Sequence, residues 1–220
     1  MVERKNGETR IQQKNARKII DAATIEFSKE GFRGGTLDAI SRRAGLSKPN
    51  LLYYFRNKHD LYQAALNHVL DIWLSPLGEL DPAADPEEQL RGYIEKKMDL
   101  SRKHPAASRM FANEILKGAN NAGPDLEAKL GELASKFNKV WCHWQSENKV
   151  AQVDGLHLIF MIWAMTQHYA DFEAQIKMLT GKTIADKAFY ETAKENIIHI
   201  IFDGIKNGHP PHCDGMAEDV

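Results

Sequence analysis

Residues 36–58 read TLDAISRRAGLSKPNLLYYFRNK. Leu37, Ile40 and Ala44 fall on one face of a short helix, and Ala44-Gly45-Leu46 supplies a turn behind it. Ser47 stands where an N-cap stands, with a hydroxyl able to accept from a free backbone N–H of the next helix. Pro49 suits that helix's first turn, because its missing N–H has no intrahelical partner there. Leu51, Leu52 and Phe55 are its expected apolar anchors, leaving Lys48, Asn50, Tyr53 and Tyr54 with faces that point outward. The stretch is therefore a helix-turn-helix, whose second helix is the candidate reader of a DNA major groove.

Working outward, Ala16, Ile19, Ile20, Ala23 and Phe27 recur at helical spacing and predict a first helix over Lys14–Glu30, closed by Gly31. Phe27 and Phe32 are placed to fill a small core beneath the helix-turn-helix. Downstream, Asn57 caps a long helix from Lys58 through Leu61, Ala65, Leu66, Val69, Leu70, Trp73 and Leu77, which Pro76 bends or ends near Trp73. Asp85-Pro86 reads as an N-cap followed by proline at the first helical position. The remaining pattern predicts helices over 87–103, 105–117, 124–148, 154–178 and 184–206, with no alternating strand. The fold class is all-α: a three-helix DNA-binding unit over 14–57, and a larger helical effector-binding and dimerisation domain over 58–206. A flexible arm over 1–13 and a flexible tail over 207–220 flank them.

Composition agrees with an ordinary globular protein, 43% apolar and 27% charged. No apolar run approaches the roughly 18–20 residues a membrane span needs, and the opening stretch has no signal-peptide core, so a cytoplasmic location is expected. Cys142 and Cys213 lie far apart, which speaks against a disulfide framework. The formal charge of −1 conceals an asymmetry: residues 1–60 carry 13 Lys/Arg against 7 Asp/Glu, and the remainder is acidic. Positive charge gathered around the reading helix attracts phosphate without a basic protein overall. The same charge also fits a merely solvated face.

Thr36, Ile40, Ala44-Gly45-Leu46-Ser47, Leu51, Tyr54-Phe55 and Lys58 together resemble the signature of the TetR family of regulators. Leu52 departs from it, where many members have an aromatic residue. Beyond that unit, DIWLSPL at 71–77, SRKHPAASRMF at 101–111 and HLIFMIWAMTQHYADF at 157–172 resemble the branch of the family that controls pyrimidine utilisation. The resemblance implies a repressor of pyrimidine-catabolism genes that uracil or thymine releases from its operator. It implies no cofactor, and as partners double-stranded operator DNA and a second copy of the chain, with no membrane.

Trp163 and Gln167 share a helix face, an aromatic plane one turn from an amide that both donates and accepts. A pyrimidine dione is a small flat ring whose edge alternates carbonyls and N–H groups, so Gln167 could pair with the edge while Trp163 covers the ring and Trp73 adds a second wall. The same residues equally fit a packing stripe. Tyr169 and Phe111 are weaker candidates. For DNA, Lys48, Asn50 and Tyr53 are expected at base edges, Thr36, Tyr54 and Lys58 at phosphates, and Ser47 at the start of the reading helix. Dimerisation is expected through the last two helices, Ile159, Ile162 and Met165 on one and Ile197, Ile198, Ile201 and Ile205 on the other forming a four-helix bundle. Such a dimer sets two reading helices about 34–36 Å apart.

Chemistry on a substrate is not expected: the chain has no HExxH, phosphate loop or GxSxG, and Glu114 reads as a helix-surface charge. His104, His168 and the tail residues His209, His212 and Cys213 fall short of a four-ligand metal site. A different small aromatic or amphipathic effector, or a constitutive architectural DNA binder, are the other readings these residues allow.

Overall fold

The computed structural model describes residues 10–123 and 125–205, and among these every regular element is helical. Ten α-helices follow in order: α1 (Arg10–Gly34), α2 (Leu37–Ala44), α3 (Lys48–Tyr54), α4 (Lys58–Leu74), α5 (Pro86–Lys103), α6 (Pro105–Leu116), α7 (Asp125–Ser146), α8 (Gly155–Asp171), α9 (Glu173–Thr180) and α10 (Lys187–Ile205). No helix among the described residues is long and apolar enough to cross a membrane. Residues 1–9 and 206–220, most of the expected arm and all of the expected tail, lie outside the described residues.

Local chemistry sets the reading unit. Thr36 and Ser47 cap α2 and α3, each side-chain oxygen accepting the N–H of the residue three positions on, Ala39 and Asn50. Between them Gly45 adopts φ 69°, a left-handed conformation that a side chain would strain, and its N–H closes α2 on the Arg42 carbonyl. Asn57 caps α4 in the same way, through Asp60 N–H. Gly31 interrupts α1 with φ 66°, as expected of a terminator, although a last turn continues to Gly34.

Two apolar cores result. One gathers Ile19, Ile20 and Phe27 of α1, Ile40, Leu51 and the α4 residues Leu61 to Leu70, with Ala107 and Met110 of α6 closing it. The other joins α5, α7, α8 and α10 around Ile94, Trp141, Trp144, Ile162 and Ile198. Packing thus does not stop at residue 57: the core under the reading unit continues through α4 and takes in α6. Trp73, only 3% exposed, belongs to neither cluster and stands between them.

Several expectations need correction. The first helix begins at Arg10 instead of Lys14, so residues 10–13 are helix and not arm; with Ile11 as their one apolar side chain they carry no helical periodicity. Leu52 is exposed and does not anchor α3. The expected helix over 154–178 is two, broken at Phe172 (φ −109°, ψ 29°), where Arg109 of α6 takes the Ala170 carbonyl at 2.9 Å and Ser108 donates to Asp171 at 2.6 Å. The last helix starts at Lys187, because Asp186 caps it through Phe189 N–H.

Glu114 is not a surface charge: it is 1% exposed and accepts from the Tyr62 hydroxyl and from Asn121 N–H, both at 2.6 Å. Ile159, Ile162, Ile197, Ile198, Ile201 and Ile205 are buried within this one chain, so they are not the contact residues of the expected bundle. On those two helices the apolar side chains free to meet a second copy are Leu156, Phe160, Met161 and Ile200.

Candidate nucleic-acid interface and effector site

The outer face of α3 carries the residues expected to read DNA. Ser47, Lys48 and Asn50 are exposed at its start, and Tyr53 is 71% exposed. Lys48 Nζ pairs with Asp38 of α2 at 2.8 Å. Both partners are open to solvent, and such a pair contributes at most about 1 kcal/mol, so a base or phosphate displaces Asp38 at little cost. Thr36 is exposed, with its hydroxyl engaged as the α2 cap.

The tyrosine pair is held from an unexpected side. Gln12 Nε2 donates to the Tyr53 hydroxyl at 3.1 Å and Asn15 Nδ2 to the Tyr54 hydroxyl at 3.3 Å, while the two rings meet edge to face at 5.2 Å. Gln12 and Asn15 lie three residues apart on α1 and so share a face. No apolar periodicity signals it, because Ile11 is the one apolar side chain of residues 10–13. Lys58 is half-buried: its Nζ donates to the Arg33 carbonyl at 3.1 Å and sits 5.1 Å from the Phe32 ring centroid. It therefore ties the start of α4 to the end of α1, and offers phosphate only the N–H groups left over.

The expected effector residues are distributed over three helices. Trp163 of α8 is half-buried and its Nε1 donates to the Tyr93 hydroxyl of α5 at 2.6 Å. Gln167, one turn on, is half-buried and its amide makes no hydrogen bond among the described residues. Among the described residues the ring of Trp73 in α4 stacks on no other aromatic ring; it meets α5 through Lys97, whose Nζ lies 4.4 Å from its ring centroid. The helix α5 is thus the element that brings the expected residues near one another. Tyr169 packs edge to face on Phe189, and Phe111 packs against the core under the reading unit, so neither is free for a ligand in this state.

Lys97 is the residue the sequence reading missed. Its signal is a lysine inside the buried stripe Leu90, Tyr93, Ile94, Met98 of α5. It is 1% exposed, and burial pushes its ammonium down to about 7, opposed only by Asp171. Asp171 is itself pushed up by burial, against the Ser108 hydrogen bond and the charge of Arg109. No group of three or more His, Cys, Asp or Glu side chains among the described residues is placed to hold a metal ion; His209, His212 and Cys213 lie outside them.

Two family models match the chain: bacterial regulatory proteins, tetR family, over residues 19–65, and YcdC-like protein, C-terminal region, over residues 66–208. The HTH-type transcriptional regulator RutR of Escherichia coli (strain K12) is 43% identical over 188 residues, covering 86% of this chain and 89% of that protein. The HTH-type transcriptional repressor NicS of Pseudomonas putida is 34% identical over 200 residues, covering 85% and 91%. Among solved structures, the ketosteroid transcriptional regulator KstR2 of Mycobacterium tuberculosis aligns with TM-score 0.68 at 16% identity, covering 88% of this chain and 95% of that one. AibR in complex with isovaleryl coenzyme A and operator DNA aligns with TM-score 0.66 at 15% identity, covering 86% and 99%. At those identities the structural likeness is one of fold.

Lys97 makes stability depend on pH. An unfolded chain keeps this proton up to the ordinary lysine range, whereas the folded chain releases it near 7, so unfolding takes up a proton between those values. Stability should rise with pH across that window, by up to about 1.4 kcal/mol per unit, and Lys97→Met should lose this rise. Urea unfolding of both proteins from about pH 6 to about pH 9 checks it, and parallel curves would contradict it.

Proposed function

The chain belongs to the TetR family of transcriptional regulators, and on that premise we propose that it represses pyrimidine-catabolism genes and leaves its operator when uracil or thymine binds between α4, α5 and α8. The observation that carries the reading is the half-buried amide of Gln167, without a hydrogen bond among the described residues, one turn from the indole of Trp163. A flat ring can lie against Trp163 and pair its alternating edge with that amide, while Trp73 closes the α4 side. The identity to RutR over most of both chains supports the same assignment. No cofactor takes part, since recognition needs only the effector, and a regulator of this kind works beside DNA in the cytoplasm.

Family members bind operator DNA as dimers, and this chain presents α3 for that purpose. Lys48, Asn50 and Tyr53 meet base edges in this reading, with Ser47 at the entrance to the groove and Thr36, Tyr54 and Lys58 on the phosphates. Release needs a ligand that favours one state over the other, because equal affinity for both shifts nothing. A ring between α5, α8 and Trp73 displaces α4. That helix is packed along the reading unit and bonded to α6 through Tyr62 and Glu114, so its displacement changes the spacing of the two copies of α3.

Calorimetry with uracil on the wild type and on Gln167→Ala tests the effector. The wild type should bind, and the variant should lose about tenfold or more in affinity for one or two lost hydrogen bonds. No heat with uracil or thymine would remove them as effectors, and a long amphipathic ligand would then be tried next. For the interface, Lys58→Ala should weaken operator and random DNA alike and flatten the salt dependence by about one unit of slope. An unchanged slope would take Lys58 off the phosphate contacts.

A further inference from the structure

Three successive turns of α5 place Tyr93, Lys97 and Ser101 on one buried stripe. The outer two are satisfied by α8: Tyr93 accepts from Trp163 Nε1 at 2.6 Å, and Ser101 Oγ donates to the Thr166 carbonyl at 2.8 Å. Lys97, between them, has neither a hydrogen bond nor an ion pair among the described residues; it lies over the face of Trp73 and feels Asp171 only at a distance. Trp73 Nε1 is likewise the one fully buried side-chain nitrogen or oxygen among the described residues left without a partner. Two donors on two helices are therefore open side by side, with the free amide of Gln167 on the third helix. A fully buried donor is almost always paired, so the solitary Trp73 Nε1 beside the unbonded Lys97 marks a place where another molecule completes the bonding.

We propose that Trp73 Nε1 and Lys97 Nζ are a two-donor clasp for ring oxygens of the effector, and that the clasp admits oxo-pyrimidines and refuses amino-pyrimidines. This rests on the effector reading above and adds to it the atoms that choose the ring. An indole N–H points outward in the ring plane, whereas Lys97 stands above the ring face, so the two donors serve different acceptor atoms. Uracil and thymine carry two carbonyl oxygens on one small ring. Cytosine has an amino group in place of one of them, and a donor facing that group leaves both without an acceptor. A site built on hydrogen bonds rejects such a ligand far more strongly than an apolar pocket rejects a change of size. The lysine's readiness to titrate near neutrality suits the task, because a carbonyl oxygen brought to it favours the protonated form. A purely aliphatic ligand would leave both donors as they are.

The test is calorimetry with uracil and with cytosine at about pH 6, on the protonated side of the value of about 7 to which burial lowers Lys97. The wild type should prefer uracil by at least on the order of a hundredfold. Lys97→Met and Trp73→Phe should each weaken uracil by about tenfold to a hundredfold and narrow the preference by a similar factor. Ligand-free Lys97→Met should melt no lower than the wild type, since it exchanges a buried charge for an apolar chain of similar length. That readout separates a ligand contact from a structural one: a lysine needed for packing would lower the melting temperature and leave the preference intact. Uracil binding with both variants keeping wild-type affinity and preference would overturn the clasp while the effector reading stood. Absence of uracil and thymine binding in the wild type would overturn both.

Discussion

Between Asn57 and Trp73 the chain has to satisfy two cores with one helix. Leu61, Tyr62, Ala65, Leu66, Val69 and Leu70 of α4 fill the core beneath the reading unit, and the next turn delivers Trp73 to the gap before α5. Close-packed interiors yield little, so a shift at the Trp73 end is carried to the Lys58 end as movement of the whole helix. Lys58 in turn is bonded to the carbonyl of Arg33, and Tyr62 to Glu114. The connection between the two functions is therefore a rigid element fixed at its Lys58 end by polar contacts. It can sit in more than one place only by repacking.

The polar groups left between the two cores follow from the same arrangement. A buried lysine is costly unless paired, and here its charge is weakened by burial and faces an indole whose own N–H is unpaired. Natural cores keep such groups where a ligand or a second state repays them. The buried Glu114 differs in being completed internally by Tyr62 and by Asn121, and it holds α4 against α6. One polar cluster is finished and serves structure, while the other is unfinished and faces the place where the effector is proposed to lie.

What was legible in the sequence was what is local. Caps at Ser47, Asn57 and Asp85, the Gly45 turn and the stop at Pro76 depend on a few neighbouring residues and are found where they were expected. The break at Phe172 was not legible because no glycine or proline marks it; Arg109 and Ser108 of another helix hold that end. An apolar stripe likewise does not say what covers it. Ile162 and Ile198 read as a surface for a second copy, yet their own chain buries them. Trp163 and Gln167 share one face of α8, but what links Trp163 to Trp73 is Tyr93 and Lys97 of α5, which shows only once α5 is seen to lie between α4 and α8.

In the proposed switch, a small ring bound between α4, α5 and α8 changes how α3 meets DNA. Operator affinity measured by fluorescence anisotropy at one fixed salt concentration, without ligand and with saturating uracil, tests it most directly. Affinity should fall by about tenfold or more, the size of a typical coupling between sites. Unchanged operator affinity under conditions where uracil is bound would contradict it, since the ring would then occupy the site without favouring either state.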